Sequence, residues 1–532
     1  MFQSPQRYPK KAGILLVLLL SLLLNSLGIW YGLPSRFGWA PDEILPSEVQ
    51  DGIAQRFSHD WFNKYPPLHY YLLALVETPF VVFARLRGLN LEDISLNSFL
   101  ILVHRVLSLI MAAGIVFLVY ECAREILDQR SSLFSALIAA LLVPLVYYAK
   151  TANLDVPYLI WFMSSLLFFL RLLKTRQRRY YLLFALSAVL AICAKDQAYG
   201  LYILPPLVIL GADWRLRKRA NPNLTIIRFL SDRTYIYAAG VAVGAFILIY
   251  NLAFNAPGFL HHIKLITGPA SQNYKLVSHT LSGHIYLLGR AWSQLRFSLG
   301  WPLFLVCLAG VIRALASKPR NAPLLSLFAF AVPYEVFYIH VILFNYSRFY
   351  LPLLLILCLF GGQFLSFVLE DRSRFSGLIR ATVVALFVYS AFYAFSLDIF
   401  MIKDARYAAE KWIRQNIPRD ATIGLAVLRV YGPRVKDYPS ILLTPVSWPR
   451  FQALSPKPDY IIVNTEYSRR FRPETPGGQF FQNFFKGKER YRVVFRRQTS
   501  LSWLPLRHRE VLQQINTINP EIVIYKKLSS PS

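Results

Sequence analysis

The sequence predicts a polytopic α-helical membrane protein with about eleven transmembrane helices and a small C-terminal α/β domain outside the cytoplasm. Of its 532 residues, 55% are hydrophobic and 15% are aromatic, which exceeds the usual composition of a soluble domain. Apolar runs of about 17–25 residues, each long enough to cross a bilayer as a helix, recur as far as residue 400. We therefore expect a transmembrane domain at residues 1–400 and an extracytoplasmic domain at residues 401–532.

The transmembrane domain is predicted from these apolar runs, taken in chain order. They lie at residues 12–31, 98–120, 133–149, 156–173, 180–195, 198–213, 234–254, 297–316, 322–343, 349–369 and 379–400. One further apolar stretch, residues 66–86, is short, aromatic and interrupted by Glu77 and Pro79. We interpret it as a helix that lies along the outer membrane surface, within a first outer loop at residues 32–97.

The orientation follows from short basic loops, which stay in the cytoplasm. If the 66–86 stretch is not a span, every basic cluster falls on the same side of the membrane. The clusters are Lys10 and Lys11; Lys174, Arg176, Arg178 and Arg179; Arg215, Arg217, Lys218 and Arg219; Lys318 and Arg320; and Arg372 and Arg374. The N-terminus is therefore predicted to be cytoplasmic, and the chain after about residue 401 to lie outside.

The C-terminal domain is predicted to be a small α/β unit. Residues 402–417 place apolar side chains near helical spacing, and Pro418 ends the run. Short β-rich runs follow at Thr422–Leu428, Asp459–Thr465, Tyr491–Arg497 and Glu521–Lys526. One helix together with several buried strands is typical of a small α/β domain.

The formal net charge of +29 is only partly explained by the cytoplasmic loops, since the C-terminal domain is also basic. Two interpretations stay open: a solvated surface that faces lipid headgroups, or a docking face for an anionic glycan or lipid. The sequence contains no nucleic-acid-binding motif. The four cysteines show no metal-type spacing and predict no disulfide framework.

Polar residues converge on the predicted outer face of the membrane. They are Asp42, Glu43 and Lys64; Asn153 and Asp155; Lys195, Asp196 and Gln197; His261 and His262; and Asn345, Tyr346, Ser347 and Arg348. Ionisable groups at such positions are costly and commonly functional, although Lys and Arg also extend to the interface with no function. Short carboxylates cannot extend far, so Asp42 and Asp155 are the strongest candidates.

Three other groups of ionisable residues have simpler interpretations. The adjacent His261 and His262 are predicted to be surface residues, because neighbours on a helix diverge and no third metal ligand is fixed by spacing. Glu335 and His340 either line a cavity or are buried and hydrogen-bonded. Arg105 is expected to pair with an acidic group at the outer face.

Five motifs carry a family resemblance by their order along the chain. They are Trp39–Glu43, Lys64–Leu68 with the aromatic helix after it, His104–Ser108, Ala152–Pro157 and Arg348–Pro352. Together they resemble the GT-C class of membrane glycosyltransferases, in the branch of protein O-mannosyltransferases and aminoarabinose transferases. The resemblance covers roughly residues 10–400. There is one departure, since Tyr65 separates Lys64 from the Pro-Pro pair that lysine directly precedes in relatives.

The resemblance implies a polyprenyl-phosphate sugar as donor, a protein, lipid or polysaccharide hydroxyl as acceptor, and inversion at the anomeric carbon. On that pattern Asp42 is the general base. Lys64, Lys195 and Arg348 would bind the leaving phosphate, while Glu43 and Asp155 orient the sugar or those cations. Arg105, Asn153 and Tyr346 complete the expected donor-binding set. The chain lacks the inserted lumenal module of eukaryotic protein mannosyltransferases, which favours a bacterial inner membrane.

No cofactor is required by this pattern. Relatives that transfer oligosaccharides to asparagine use a divalent cation, for which Asp42, Glu43 and Asp155 would be the oxygen ligands, so a metal stays an alternative. Two other functions also stay open: a transporter or flippase for lipid-linked sugars, and a non-catalytic glycan-assembly protein. Transporters often show internal repeats and broken helices. No repeat is visible here, and the polar groups gather at one face, which favours the enzyme.

Overall fold

The computed structural model describes residues 12–58, 61, 64–90, 93–370, 374–444 and 447–528. The chain divides into two compact units. We call them the helical unit (Met1–Ile29, Ile44–Leu91 and Leu100–Ala394) and the α/β unit (Trp30–Glu43, Glu92–Phe99 and Phe395–Ser532). Three residues of the predicted basic clusters, Lys10, Lys11 and Arg372, lie outside the described residues.

Helices account for nearly all of the regular structure before residue 403. The α-helices are Ala12–Ser26, Pro46–Ala54, Leu68–Leu86, Ile94–Ile126, Gln129–Ala140, Val143–Tyr148, Asp155–Thr175, Arg178–Ala194, Pro205–Ala220, Ile226–Leu230, Arg233–Ile249, Ala256–Thr267, Pro269–Gln272, Leu281–Ala316, Ala322–Leu325, Phe328–Tyr334, His340–Ile342, Leu351–Val368 and Ser376–Ile402. The 3₁₀-helices Asp196–Tyr202 and Ser347–Tyr350 and the π-helical turn Glu335–Ile339 lie between them.

Six helical segments of the described chain are long and apolar enough to cross a membrane. They are Ile94–Ile126, Asp155–Thr175, Leu281–Ala316, Ala322–Ile342, Ser347–Val368 and Ser376–Asn416. Ala12–Ser26 and Arg233–Ile249 are shorter apolar helices. The prediction of a helical integral membrane protein with a small C-terminal sheet domain is thus confirmed. The count of about eleven spans stays a prediction.

Two of the predicted spans are not continuous α-helices in the structure. The run 133–149 contains two helices, which are separated by Leu141 and Leu142 before Pro144. The run 198–213 begins as a 3₁₀-helix, and its α-helix starts only at Pro205. In both cases a proline stands near the start of the second helix, where its missing N–H and fixed φ are tolerated. The surface helix that was predicted at 66–86 is helical over Leu68–Leu86, with Pro79 inside it.

Glycine lets neighbouring helices of the helical unit approach closely. A Cβ atom on Gly310 would lie 2.2 Å from the carbonyl oxygen of Phe360, and one on Gly362 would lie 2.5 Å from that of Ser131. Small residues have this role in membrane helices, where close packing replaces the hydrophobic effect. The Leu351–Val368 helix is therefore held against both Leu281–Ala316 and Gln129–Ala140.

The α/β unit contains one five-stranded mixed sheet. Its strands are β1 (Ile423–Leu425), β2 (Ser440–Leu442), β3 (Tyr460–Asn464), β4 (Tyr491–Arg497) and β5 (Ile522–Lys527), in the order β2-β1-β3-β5-β4. β1 pairs in parallel with β2 and β3, whereas β5 pairs antiparallel with β3 and β4. Four of these strands were predicted, and β2 was missed because it is short and only partly buried.

Helices complete the α/β unit. They are Ala405–Asn416, Trp448–Gln452, Thr465–Ser468, Pro476–Phe485 and His508–Gln514, with a 3₁₀-turn at Arg429–Tyr431. Ala405–Asn416 is the helix that was predicted at 402–417. It buries Ala409 and Ile413 against Ile423 and Ile462 of the sheet, which gives the unit a hydrophobic core of its own.

Candidate active site

The helical unit brings together three charged residues that the sequence placed in separate loops. Asp155 begins the Asp155–Thr175 helix, and Lys195 follows the last residue of Arg178–Ala194. Lys195 Nζ donates to Asp155 Oδ1 at 2.5 Å. Arg348 Nη1 lies 3.9 Å from Asp155 Oδ2. One carboxylate is therefore shared by two cations that come from distant parts of the sequence.

Burial differs among the three side chains. The Asp155 side chain is 2% exposed, whereas those of Lys195 and Arg348 are 13% and 22% exposed. The carboxylate is thus sealed in the protein, whereas the two cations keep part of their side chains exposed. Two cations against one carboxylate leave this cluster with a net positive charge, which favours an anion such as a phosphate group.

Neighbouring residues fix the positions of these charges. Asn153 Oδ1 accepts the main-chain N–H of Asp155 at 3.0 Å, within the turn that starts the helix. Lys195 Nζ lies 5.5 Å from the ring centre of Tyr158, and the Arg348 guanidinium lies 5.5 Å from that of Tyr346. Cations over aromatic faces are held in place and partly compensated for lost water. Asn153 and Tyr346, both predicted site residues, therefore lie next to the charged group.

Asp42 belongs to the α/β unit and has an unusual backbone conformation. Its φ angle is +73°, in the left-handed region that few residues other than glycine occupy, although Asp tolerates it. The Glu43 N–H contacts the Ala40 carbonyl at 3.4 Å, and the Glu43 side chain is buried. Backbone strain of this kind often marks functional sites, which makes Asp42 the strongest candidate of this turn.

Aromatic and cation–π contacts anchor the turn that carries Asp42 within the α/β unit. The ring of Trp39 is 1% exposed and lies 4.6 Å from the ring of Tyr407. The guanidinium of Arg406 lies 4.2 Å from the centre of the Trp39 ring. Only Ala40 and Pro41 separate this buried indole from Asp42, so the backbone at Asp42 starts from a fixed point.

The other predicted donor-binding residues have different surroundings. Lys64 is exposed, and its ammonium group lies 4.8 Å from the centre of the Tyr65 ring, so the tyrosine that interrupts the motif is also its contact. Arg105 is fully buried, and its Nη1 donates to the carbonyl oxygen of Ile29 at 2.7 Å. Its neighbour His104 contacts an acidic group, since His104 Nε2 lies 2.9 Å from Glu77 Oε2; the acidic partner expected for Arg105 itself stays a prediction.

The buried Glu77–His104 pair was missed as a site by the sequence reasoning. Both side chains are fully inaccessible to solvent. The neighbouring His69 is also buried, and within the described residues neither of its ring nitrogens has a hydrogen-bond partner. Burial lowers the pKa of His69 to about 3, with a smaller contribution from His104. A glutamate inside an apolar helix was the available signal, but it was interpreted only as a helix interruption.

The prediction that His261 and His262 are surface residues is wrong for His262. This side chain is buried, and its Nε2 lies 3.0 Å from Asp196 Oδ2. Tyr250 also donates to Asp196. His262 points into the unit because it is one helical step away from His261, which remains exposed. No signal in the sequence linked Asp196 to His262.

Glu335 and His340 lie in a hydrogen-bonded group of the helical unit, but both side chains are only half-buried, so the buried interpretation holds only in its hydrogen bonds. His340 Nε2 lies 3.5 Å from Glu335 Oε1, and the Tyr350 hydroxyl donates to the same oxygen at 3.4 Å. His284 Nδ1 lies 2.7 Å from His340 Nδ1. Within the described part of the chain, no group of three or more His, Cys, Asp or Glu side chains is placed to hold a metal ion, and a divalent cation stays the alternative that the family resemblance offers.

A family model supports the resemblance drawn from the motifs. The family described as dolichyl-phosphate-mannose-protein mannosyltransferase matches residues 94–231. This segment contains four of the predicted site residues: Arg105, Asn153, Asp155 and Lys195. The match confirms the resemblance to the GT-C membrane glycosyltransferases and supports glycosyltransferase activity. A comparison with curated proteins gave no match.

Several solved structures of membrane glycan-transfer proteins are similar to the chain at low sequence identity. Over 86% of its length it aligns with 68% of the Archaeoglobus fulgidus oligosaccharyltransferase, at 13% identity and a TM-score of 0.47. Over 97% of its length it aligns with 98% of ArnT from Cupriavidus metallidurans bound to undecaprenyl phosphate, at 12% identity and a TM-score of 0.46. For the Pmt1-Pmt2 complex of S. cerevisiae, 49% of this chain and 35% of that chain align, at 17% identity and a TM-score of 0.31. These scores leave the family match as the comparison that bears on function.

Proposed function

We propose that this protein is an inverting glycosyltransferase that moves a sugar from a polyprenyl phosphate to an acceptor hydroxyl on the outer face of a bacterial inner membrane. The observation that carries the proposal is the buried Asp155 carboxylate with Lys195 and Arg348 beside it. Two of these three residues lie in the segment that matches the mannosyltransferase family. The family description names dolichyl phosphate mannose, a polyprenyl-phosphate sugar, as donor, which supports the same donor class here.

The two cations would serve the leaving group. As the bond between the sugar C1 and the phosphate oxygen breaks, negative charge develops on the lipid phosphate. Lys195 and Arg348, already placed and partly shielded from water, stabilise that charge without reorganising. Arg348 offers two parallel donors to the phosphate, whereas Lys195 acts as a point charge. Asp155 holds both cations in place. Asn153 accepts the main-chain N–H of Asp155, and the Tyr346 ring lies beside the Arg348 guanidinium.

Asp42 would act as the general base. The acceptor oxygen attacks C1 from the face opposite the phosphate and gives its proton to the Asp42 carboxylate, so that one displacement inverts the anomeric centre. A positioned base of this kind contributes about 10²–10⁴-fold. Glu43, Lys64 and Arg105 are proposed to complete the donor-binding set. The acceptor stays a protein, lipid or polysaccharide hydroxyl.

The flippase alternative is favoured by one observation. The predicted span 322–343 is interrupted by a π-helical turn at Glu335–Ile339, with ionisable residues at both of its ends. Broken helices with polar groups are common at transport sites. The alternative predicts movement of the lipid-linked sugar across the bilayer with no release of polyprenyl phosphate.

The test is release of free polyprenyl phosphate by the purified chain, over a panel of polyprenyl-phosphate sugars with membrane extracts as acceptor. Asp42→Asn is expected to lower the rate by about 10²-fold or more. Asp51→Asn, which changes an exposed carboxylate on the Pro46–Ala54 helix, is the matched control and should keep the rate. If Asp42→Asn releases polyprenyl phosphate as fast as the wild type, Asp42 is not the general base. Transbilayer movement without release would establish the flippase instead, and a chelator arm decides whether a metal is needed.

A further inference from the structure

The α/β unit contains a cavity that the proposed catalytic residues do not use. Its volume is about 300 Å³, at the lower end of the range for small-molecule sites. Segments from three parts of the chain line it: residues 34–37, Ile94, and the stretch around β1 and β2. All of them belong to the α/β unit. The cavity is therefore a feature of this unit alone.

The charge of the cavity wall is strongly positive. Four of its twelve lining residues are basic, namely Arg36, Arg429, Arg434 and Lys436. None of the twelve is acidic. Basic residues spread over a surface repel one another and face water. Here they line one half-open cavity, where their fields add and where an anion would be partly shielded from solvent.

The four cations are not equivalent. Arg434 donates through Nε and Nη2 to the carboxylate of Glu410 at 2.7 and 2.5 Å, and the Glu410 side chain is 3% exposed. This paired arginine is a fixed part of the wall. Arg429 and Lys436 are exposed side chains on the loop between β1 and β2. The fully exposed Asp93 lies close enough to Lys436 for the two charges to interact, so the net charge around the cavity remains positive.

The uncharged part of the wall favours a sugar. Phe37, which is 39% exposed, lines the cavity together with Pro34, Pro433 and Val435. Ser35 and Ser440 add hydroxyl groups. An apolar and aromatic wall with a few polar groups that fix orientation is typical of a small-molecule pocket. Attraction to anionic lipid headgroups would explain the positive charge, but it requires no cavity of this size.

We propose that this cavity is a binding site for a phosphorylated saccharide. The phosphate would lie against the guanidinium of Arg429 and the ammonium of Lys436, where charge-assisted hydrogen bonds are strongest. The sugar ring would lie on Phe37 within reach of the two serine hydroxyls. This proposal depends only on residues of the α/β unit. It is therefore independent of the transferase proposal.

The experiment is calorimetric titration of the full chain, in nanodiscs of phosphatidylcholine, with glucose 6-phosphate as the probe. We expect saturable binding that weakens as salt is added. Arg429→Gln and Lys436→Gln should each weaken it about tenfold or more. Both side chains are exposed, so the variants should fold normally. Arg492→Gln removes the same charge from β4, at the opposite edge of the sheet from β2, and should leave affinity within about twofold.

Four results would overturn the proposal. They are the absence of saturable binding, equal weakening by Arg492→Gln, equal affinity for inorganic phosphate, and loss of binding in nanodiscs that contain phosphatidylglycerol. The third would show that the sugar contributes nothing, and the fourth would assign the cavity to lipid headgroups. Asp42→Asn is expected to bind the probe as the wild type does, which separates this test from that of the proposed transferase.

Discussion

In each unit a buried carboxylate lies beside an arginine, Asp155 in the helical unit and Asp404 in the α/β unit, and the two groups differ in how completely their charges and hydrogen bonds are satisfied. In the α/β unit, Asp404 and Arg406 are both fully inaccessible to solvent, with 2.9 Å between Arg406 Nη2 and Asp404 Oδ2. The Tyr31 hydroxyl and the N–H of Asn519 also donate to Asp404. In the helical unit, Asp155 is sealed but its two cations keep some exposure.

The difference teaches how a structural ion pair is told from a candidate binding site in this molecule. Asp404 and Arg406 find their hydrogen-bond partners within the unit, and Arg406 also donates to the Thr517 carbonyl at 2.6 Å. A network of this kind specifies one packing arrangement. Around Asp155, the two cations Lys195 and Arg348 outnumber the carboxylate they share, and both keep part of their side chain exposed. An incoming anion would pair with the partly exposed cations beside Asp155. The Asp404–Arg406 pair is fully inaccessible to solvent and would not accommodate one.

The largest expected effect tests the structural pair. Asp404→Asn leaves the buried Arg406 guanidinium without its charge partner, so the free energy of unfolding should fall by about 3–5 kcal/mol. Transferase activity per folded molecule should not change. The exposed pair Arg419–Asp437, whose atoms are 3.4 Å apart, supplies the control, because Asp437→Asn should cost less than about 1 kcal/mol. Similar losses in the two variants would contradict the distinction.

The next effect concerns the cationic group of the helical unit. Lys195→Met removes one of the two cations that are proposed to stabilise the leaving phosphate, and kcat should fall by about 10²–10³-fold. Stability should fall less than in Asp404→Asn, because Arg348 remains beside Asp155. Steady-state kinetics and thermal unfolding of the same preparation measure both quantities. A loss of stability with normal kcat would make Lys195 a structural residue.

A smaller effect separates charge from geometry at Arg348. Arg348→Lys keeps the positive charge but loses the planar two-donor fork, so kcat should fall by about tenfold, less than in Lys195→Met. Arg374→Lys, a charge-preserving change in a basic cluster predicted to be cytoplasmic, is the control and should be neutral. A wild-type rate in Arg348→Lys would show that the fork does not contact the phosphate.

The smallest effect concerns His69. Unlike Asp404 and Asp155, this buried residue has no hydrogen-bond partner for its side chain within the described residues. Its pKa of about 3 in the folded protein lies below the ordinary 6.5, so the unfolded chain binds the proton first. Stability is therefore lost as the pH falls below 6.5, by about 1.4 kcal/mol between about pH 7.5 and 5.5. In His69→Leu this slope should flatten, whereas the exposed His261→Leu should retain it. Melting temperature against pH measures the slope; an unchanged slope in His69→Leu would place the titration elsewhere.

The candidate site was predictable in its residues but not in its pairings. Carboxylates that cannot extend to an interface drew attention to Asp42 and Asp155, and their sequence motifs carried the family resemblance. The pairing of Asp155 with Lys195 and Arg348 depends on where three helices end relative to one another, which no local pattern encodes. The same limit explains His262, whose burial depends on packing against a residue 66 positions away.

The sequence by itself determined that the protein is a membrane protein of helices with a C-terminal sheet domain, because apolar run length and strand periodicity are local properties. It also determined the residue types available for chemistry. The tertiary structure alone decided that Asp404 is a satisfied structural group while Asp155 keeps accessible cations. Only the tertiary structure shows that Arg36, Arg429, Arg434 and Lys436 line one cavity. Burial and charge balance arise only when distant segments pack, since both depend on which groups exclude water from one another.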